Sequence, residues 1–143
     1  ISNLNITATA DNIGLFGTIS GATIENLGLV GGTITATGKN NVGALVGLIS
    51  GTSTVTNCYA IGLTITGNDN VGGLIGHINN ITGNAVSYVY ANNNVTVTKN
   101  KDGKIGGIIG VEDGTNTTIN NAYYPETITI TGTKVNNSTL GIQ

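Results

Sequence analysis

Apolar residues in this 143-residue chain come in short bursts separated by Gly, Asn, Ser and Asp, with neither helical spacing nor a long continuous run. Three kinds of burst recur in a fixed order. The first is Ile13-Gly14-Leu15-Phe16-Gly17, followed by Val42-Gly43-Ala44-Leu45-Val46-Gly47, Val71-Gly72-Gly73-Leu74-Ile75-Gly76 and Ile105-Gly106-Gly107-Ile108-Ile109-Gly110. Their closing glycines stand 30, 29 and 34 residues apart. The second is Ile24-Glu25-Asn26-Leu27-Gly28, matched by Val55–Tyr59, Val86–Tyr90 and Ile119–Tyr123, with Ile1–Asn5 opening the chain on the same pattern. The third is Thr33-Ile34-Thr35, Thr64-Ile65-Thr66, Thr96-Val97-Thr98 and Thr129-Ile130-Thr131, with Asn5-Ile6-Thr7 as its first copy. Short β-branched runs between turn formers are strand and turn chemistry.

A repeat of about 31 residues changes the fold expected. Propeller blades need four strands in about 40 to 45 residues, whereas three short segments in each unit suit one coil of a solenoid. The pattern predicts an all-β, right-handed parallel β-helix (β-solenoid) with coils of about 31 residues and three short strands per coil. Residues 1–143 then form one solenoid segment of about four to five coils. At about 4.8 Å per coil it would be roughly 25 Å long.

Stacking turns repeat positions into columns. Alternation sends Ile34, Ile65, Val97 and Ile130 inward and the flanking threonines outward. Asn26, Asn57 and Asn121, with Asn3 beside them, are expected to form an amide ladder at one corner, which Tyr88 interrupts. Tyr59, Tyr90 and Tyr123 are expected as an outward aromatic row, and Cys58 as an inward residue in line with Leu27, Val89 and Ala122.

The four glycine-rich segments, in phase with segments such as Thr54-Val55-Thr56-Asn57-Cys58-Tyr59-Ala60, resemble the GLUG repeat of bacterial surface proteins. The resemblance covers essentially the whole chain. It implies an extracellular or secreted solenoid within a much larger exported protein, adhesin-like or a large exoprotein, with flanking domains in the same polypeptide. Similar repeats occur in non-catalytic parts of surface metallopeptidases. The expected function is therefore a non-catalytic structural or adhesive segment, a rigid stalk or a surface for a host glycan or protein.

Composition narrows the chemistry. Gly, Thr and Asn number 23, 23 and 21, charged residues are 8%, and Arg, Met and Trp are absent. Net charge of −2 supplies no basic field for nucleic acid. No apolar run is long enough for a membrane span, and no export signal opens the chain, which reads as a mature or excised piece. The single Cys58 cannot form an internal disulfide.

Few residues suit catalysis. Gly72, Gly73 and Gly76 superficially suggest a phosphate cradle, but the Gly-Lys-Ser/Thr continuation is missing, so they read as structural. His77 falls on the repeat position of Thr18, Leu48 and Val111 and reads as a strand residue. Asp11, Asp69 and Asp102 each precede a glycine-rich strand and read as turn formers before a weak cation site. Glu112 and Asp113 are adjacent, a poor arrangement for two carboxylates flanking a glycosidic bond. No enzyme activity, cofactor or metal is expected. The candidate binding surfaces are the tyrosine row (Tyr59, Tyr90, Tyr123) and the threonine pairs Thr33/Thr35, Thr64/Thr66, Thr96/Thr98 and Thr129/Thr131. The pairs also resemble the ice-binding face of Thr-x-Thr antifreeze proteins, one alternative function; the other is an accessory, non-catalytic repeat region of a surface metallopeptidase.

Overall fold

The computed structural model describes residues 1–79, 82–98, 103–125 and 130–131. Its strands are β1 (Ser2–Thr7), β2 (Phe16–Ile19), β3 (Thr23–Glu25), β4 (Gly28–Thr35), β5 (Asn40–Gly43), β6 (Val46–Ile49), β7 (Thr54–Thr56) and β8 (Tyr59–Gly67). They continue as β9 (Asp69–Gly72), β10 (Ile75–Ile78), β11 (Ala85–Val97), β12 (Ile105–Gly106), β13 (Ile109–Glu112), β14 (Thr118–Tyr123) and β15 (Ile130–Thr131). The described residues contain no helix. Each strand pairs in parallel with its equivalent one coil away, giving a β-solenoid of about four turns with coils about 31 residues apart.

Three sheets wrap the interior. One holds β1, β4, β8, β11, β7 and β3, with β14 and β15 also on β11; the others hold β13, β10, β6, β2 and β12, β9, β5. The division differs from three segments making three strands. Each glycine-rich segment bends in its middle, at Ala44-Leu45 for example, and feeds two sheets. The second and third segments instead merge, so β8 and β11 run through the position between them.

Close approach explains the bend. A Cβ on Gly43 would lie 2.5 Å from Val46 O, and one on Gly110 would lie 2.6 Å from Asn70 C and Val71 N. A Cβ on Gly76 would fall against Val42 N and 2.5 Å from Asn41 C. The closing glycines Gly47, Gly76 and Gly110 thus rest on the Asn-Ile or Asn-Val backbone of the coil before. The solenoid is too thin along this edge for any side chain.

The core is a set of columns. Ile34, Ile65 and Val95 are fully buried in one of them, and Leu29, Ala60 and Ala91 in the next. Val97 was expected opposite Ile65, but the partner of Ile65 is Val95, and Ile130 pairs with Val95 as well. The cause is a one-residue deletion. Between Asn92 and Asn94, β11 has only Asn93 where β8 has Gly62 and Leu63, which shifts the following frame. Val97 still points inward, opposite Gly67, whose missing side chain leaves its space to Val42 and Val71. Asn93 is buried and satisfied: its Oδ1 accepts from Leu63 N at 2.9 Å and its Nδ2 donates to Gly73 O at 2.8 Å.

Corners are made by asparagine. Among the described residues nine non-glycine residues have positive φ, and eight are Asn: 3, 12, 26, 41, 57, 70, 116 and 121; the ninth is Tyr88. Asn tolerates the left-handed region better than most residues, and its amide can bond along the stack. The Asn26–Asn57 bond forms as expected, Nδ2 of Asn57 donating to Oδ1 of Asn26. Asn3 does not join that corner. The pairing of Ser2 with Val30 and Leu4 with Gly32 sets Asn3 on Gly31, so Ile1–Asn5 aligns with the start of β4 instead. Gly31 and Gly62 continue that column with φ of 68° and 72°.

Candidate functional site

The outward surface of β8, β11 and β14 carries the tyrosine row. Tyr59 pairs with Tyr90 and Tyr90 with Tyr123, so the three lie in one line at about 4.8 Å per coil. They are 44%, 39% and 43% exposed. The row begins on glycine: a Cβ on Gly28, the residue paired with Tyr59, would lie 2.5 Å from the Tyr59 ring and hydroxyl. The Tyr59 ring therefore lies over bare backbone of the coil before. Tyr123 donates its hydroxyl to Asn121 Oδ1 at 3.2 Å. The neighbouring αL corner, Asn26–Asn57–Tyr88–Asn121, runs alongside, so amides border the rings.

The threonines form two columns, and the frame shift changes their membership. Thr35, Thr66, Thr96 and Thr131 are in register, and Thr7 precedes them, so the inner column has threonine in all five positions. The outer column reads Asn5, Thr33, Thr64, Asn94. Thr96/Thr98 is therefore not the equivalent of Thr64/Thr66. Thr98 lies one pleat further and donates its hydroxyl to Gly67 O at 3.1 Å. Thr33, Thr35, Thr64 and Thr98 are exposed, while Thr66 and Thr96 are half-buried. Thr129 and Asp102 lie outside the described residues.

A second amide ladder, not expected from the sequence, lies at another corner. Asn41 Nδ2 donates to Asn12 Oδ1 and Asn70 Nδ2 to Asn41 Oδ1, both at 2.7 Å. Its signal was present as Asn-Ile/Val-Gly in three consecutive repeats. The acidic residues beside it bond across coils as well as within turns. Asp11 Oδ1 accepts from Asn40 N at 2.8 Å, and Asp69 Oδ1 from Asn70 N and Lys104 N at 2.9 and 2.8 Å.

His77 sits in register with Leu48 and Val111 as expected, yet it has an acidic partner that sequence spacing did not reveal. Its Nε2 lies 3.0 Å from Asp113 Oδ2 because β10 and β13 are neighbours. Glu112 ends β13 and accepts from Thr117 Oγ1 at 2.8 Å. Cys58 faces inward in line with Val89, its Sγ donating to Thr56 O at 3.2 Å. Burial, the largest influence, pushes the thiol above its ordinary value, and backbone hydrogen bonds at Leu27 and Thr56 act the other way. Gly73 and Gly76 pack against backbone in neighbouring coils.

No family model, curated protein or solved structure matches the chain. The chemistry available at its surface is a line of phenol rings bordered by amides, and a parallel line of threonine hydroxyls and methyls.

Proposed function

We propose that the chain is a non-catalytic structural and adhesive segment of a bacterial surface or secreted protein, built from GLUG-type repeats. The solenoid acts as a rigid stalk, and its tyrosine row meets a host-surface glycan or protein. The observation that carries this reading is the in-register, exposed line Tyr59–Tyr90–Tyr123 on a scaffold whose backbone is bonded coil to coil. Aromatic side chains that stay exposed in line contribute little to the core and are suited to contact with a partner. Replacing all three with serine is expected to leave the melting temperature within about 3 °C, since the row is half-exposed. The same change should abolish adhesion of the purified chain to host cells. Undiminished adhesion would leave the stalk role alone.

The unbroken inner threonine column favours one second reading, ice binding. The one-residue deletion at Asn93 changes the outer column and leaves the inner one unbroken, and the extra residues of the 34-residue spacing follow Thr98 in the sequence, after the pairing of Thr66 with Thr96. A regular line of hydroxyl and methyl groups can order water. Thermal hysteresis of the purified chain tests it; none at high concentration sinks the reading.

A further inference from the structure

Tyr88 is out of place as a structural residue. Its equivalents in the other coils, Asn26, Asn57 and Asn121, are all asparagine, and all four share φ between 51° and 58°. A bulky side chain in that region is strained where asparagine is tolerated. It also leaves Asn57 without an amide above it, so the ladder stops after one bond. Packing does not compensate, because Tyr88 is 66% exposed, more than any other large apolar residue described. Strained residues that give nothing back to the fold collect at binding sites.

Its neighbours say what such a site takes. Tyr88 and Tyr90 flank inward Val89, so both project outward, and Tyr90 is the middle of the row. Among the described residues charge lies mostly elsewhere: Asp11, Lys39, Asp69 and Lys104 stand by the second ladder, and His77 pairs with Asp113 on another sheet. Glu25 stands in the Thr56–Ser87 column, at the first coil only. A surface that repeats every 4.8 Å or so matches a ligand that itself repeats. Pyranose rings offer C–H faces to phenol rings and hydroxyls to amides and phenols, with no charge to neutralise.

We infer that Tyr88, standing beside the tyrosine row, determines the affinity of that surface and that the row takes an uncharged polysaccharide chain. This rests on the adhesive reading above and names its ligand class. The test is affinity electrophoresis of the full chain in gels containing neutral polysaccharides (mannan, xylan, laminarin) or the polyanion alginate, with thermal melting alongside. The expected result is retardation by a neutral polysaccharide and not by alginate. Tyr88→Asn should weaken that retardation at least about tenfold while raising the melting temperature by roughly 3 to 6 °C as strain is removed and the ladder extends. Tyr88→Phe should retain most of the binding.

Different failures fall in different places. If Tyr59→Ser/Tyr90→Ser loses binding while Tyr88→Asn binds like the parent, the role of Tyr88 is overturned and the row stands. A lower melting temperature for Tyr88→Asn makes Tyr88 a packing residue and also overturns it. No retardation of the parent by any neutral polysaccharide overturns the ligand class. Binding unaffected by both variants overturns the adhesive reading with it.

Discussion

Asparagine does two jobs in this chain, and both follow from a short amide side chain. It enters the left-handed region at modest cost, and it donates and accepts along the stack. Asn41 is the centre of the ladder that bonds to Asn12 below and Asn70 above. Asn41→Ala removes both bonds and strains the backbone, so it should cost about 2 to 3 kcal/mol in chemical denaturation. Asn41→Gly keeps the backbone conformation and should cost less than the alanine. Equal losses would mean that the amide bonds alone matter. Cys58 gives a pH test. Its thiol is raised in the folded chain by burial, so the unfolded thiol loses its proton first as pH rises. The stability this contributes is complete below the ordinary thiol range and declines as pH climbs through that range toward the raised value. Unfolding free energy should therefore fall more steeply between about pH 8 and 10 in the parent than in Cys58→Ala. Parallel curves would contradict the burial of that thiol.

At the scale of elements, the glycine-rich segment decides the cross-section. A methyl group on Gly76 meets backbone of the preceding coil at Asn41, Val42 and Gly47, and backbone has nowhere to go, so Gly76→Ala should cost roughly 3 kcal/mol or more. Gly38 has φ of 73° and open space around it, so Gly38→Ala should cost only about 1 kcal/mol, for conformation alone. A comparable loss at both would show that glycine is needed for conformation and not for close approach. The repeat itself was legible because each coil repeats the same apolar burst, and parallel stacking needs that. Tyr59, Tyr90 and Tyr123 fall in line as expected for the same reason: the pattern around them is ungapped. Two features were not legible. Asn94-Val95-Thr96 and Thr96-Val97-Thr98 both alternate correctly, and only the deletion opposite Gly62 and Leu63 selects the first. The partnership of His77 with Asp113 depends on side chains meeting across coils 36 residues apart, for which no local pattern exists.

For the molecule as a whole, stability is a sum over stacked neighbours, so damage to one interior position is felt along the column. Ile65 is fully buried between Ile34 and Val95. Ile65→Asp puts an unpaired charge there and should abolish cooperative unfolding, read by circular dichroism; an unchanged melting temperature would contradict the inward assignment. Every surface described above, the tyrosine row included, depends on one register of coil on coil. Paired cysteines on a Cys58→Ala background test that register most directly. Thr66 and Thr96 are partners, so their Cα atoms stand about 4.8 Å apart, within disulfide range. Thr66 and Thr98 are one pleat out of step, about 8 Å apart and beyond it. Under mild oxidation Thr66→Cys/Thr96→Cys should form an intramolecular disulfide and Thr66→Cys/Thr98→Cys should not. The reverse outcome would contradict the stacking on which the whole account stands.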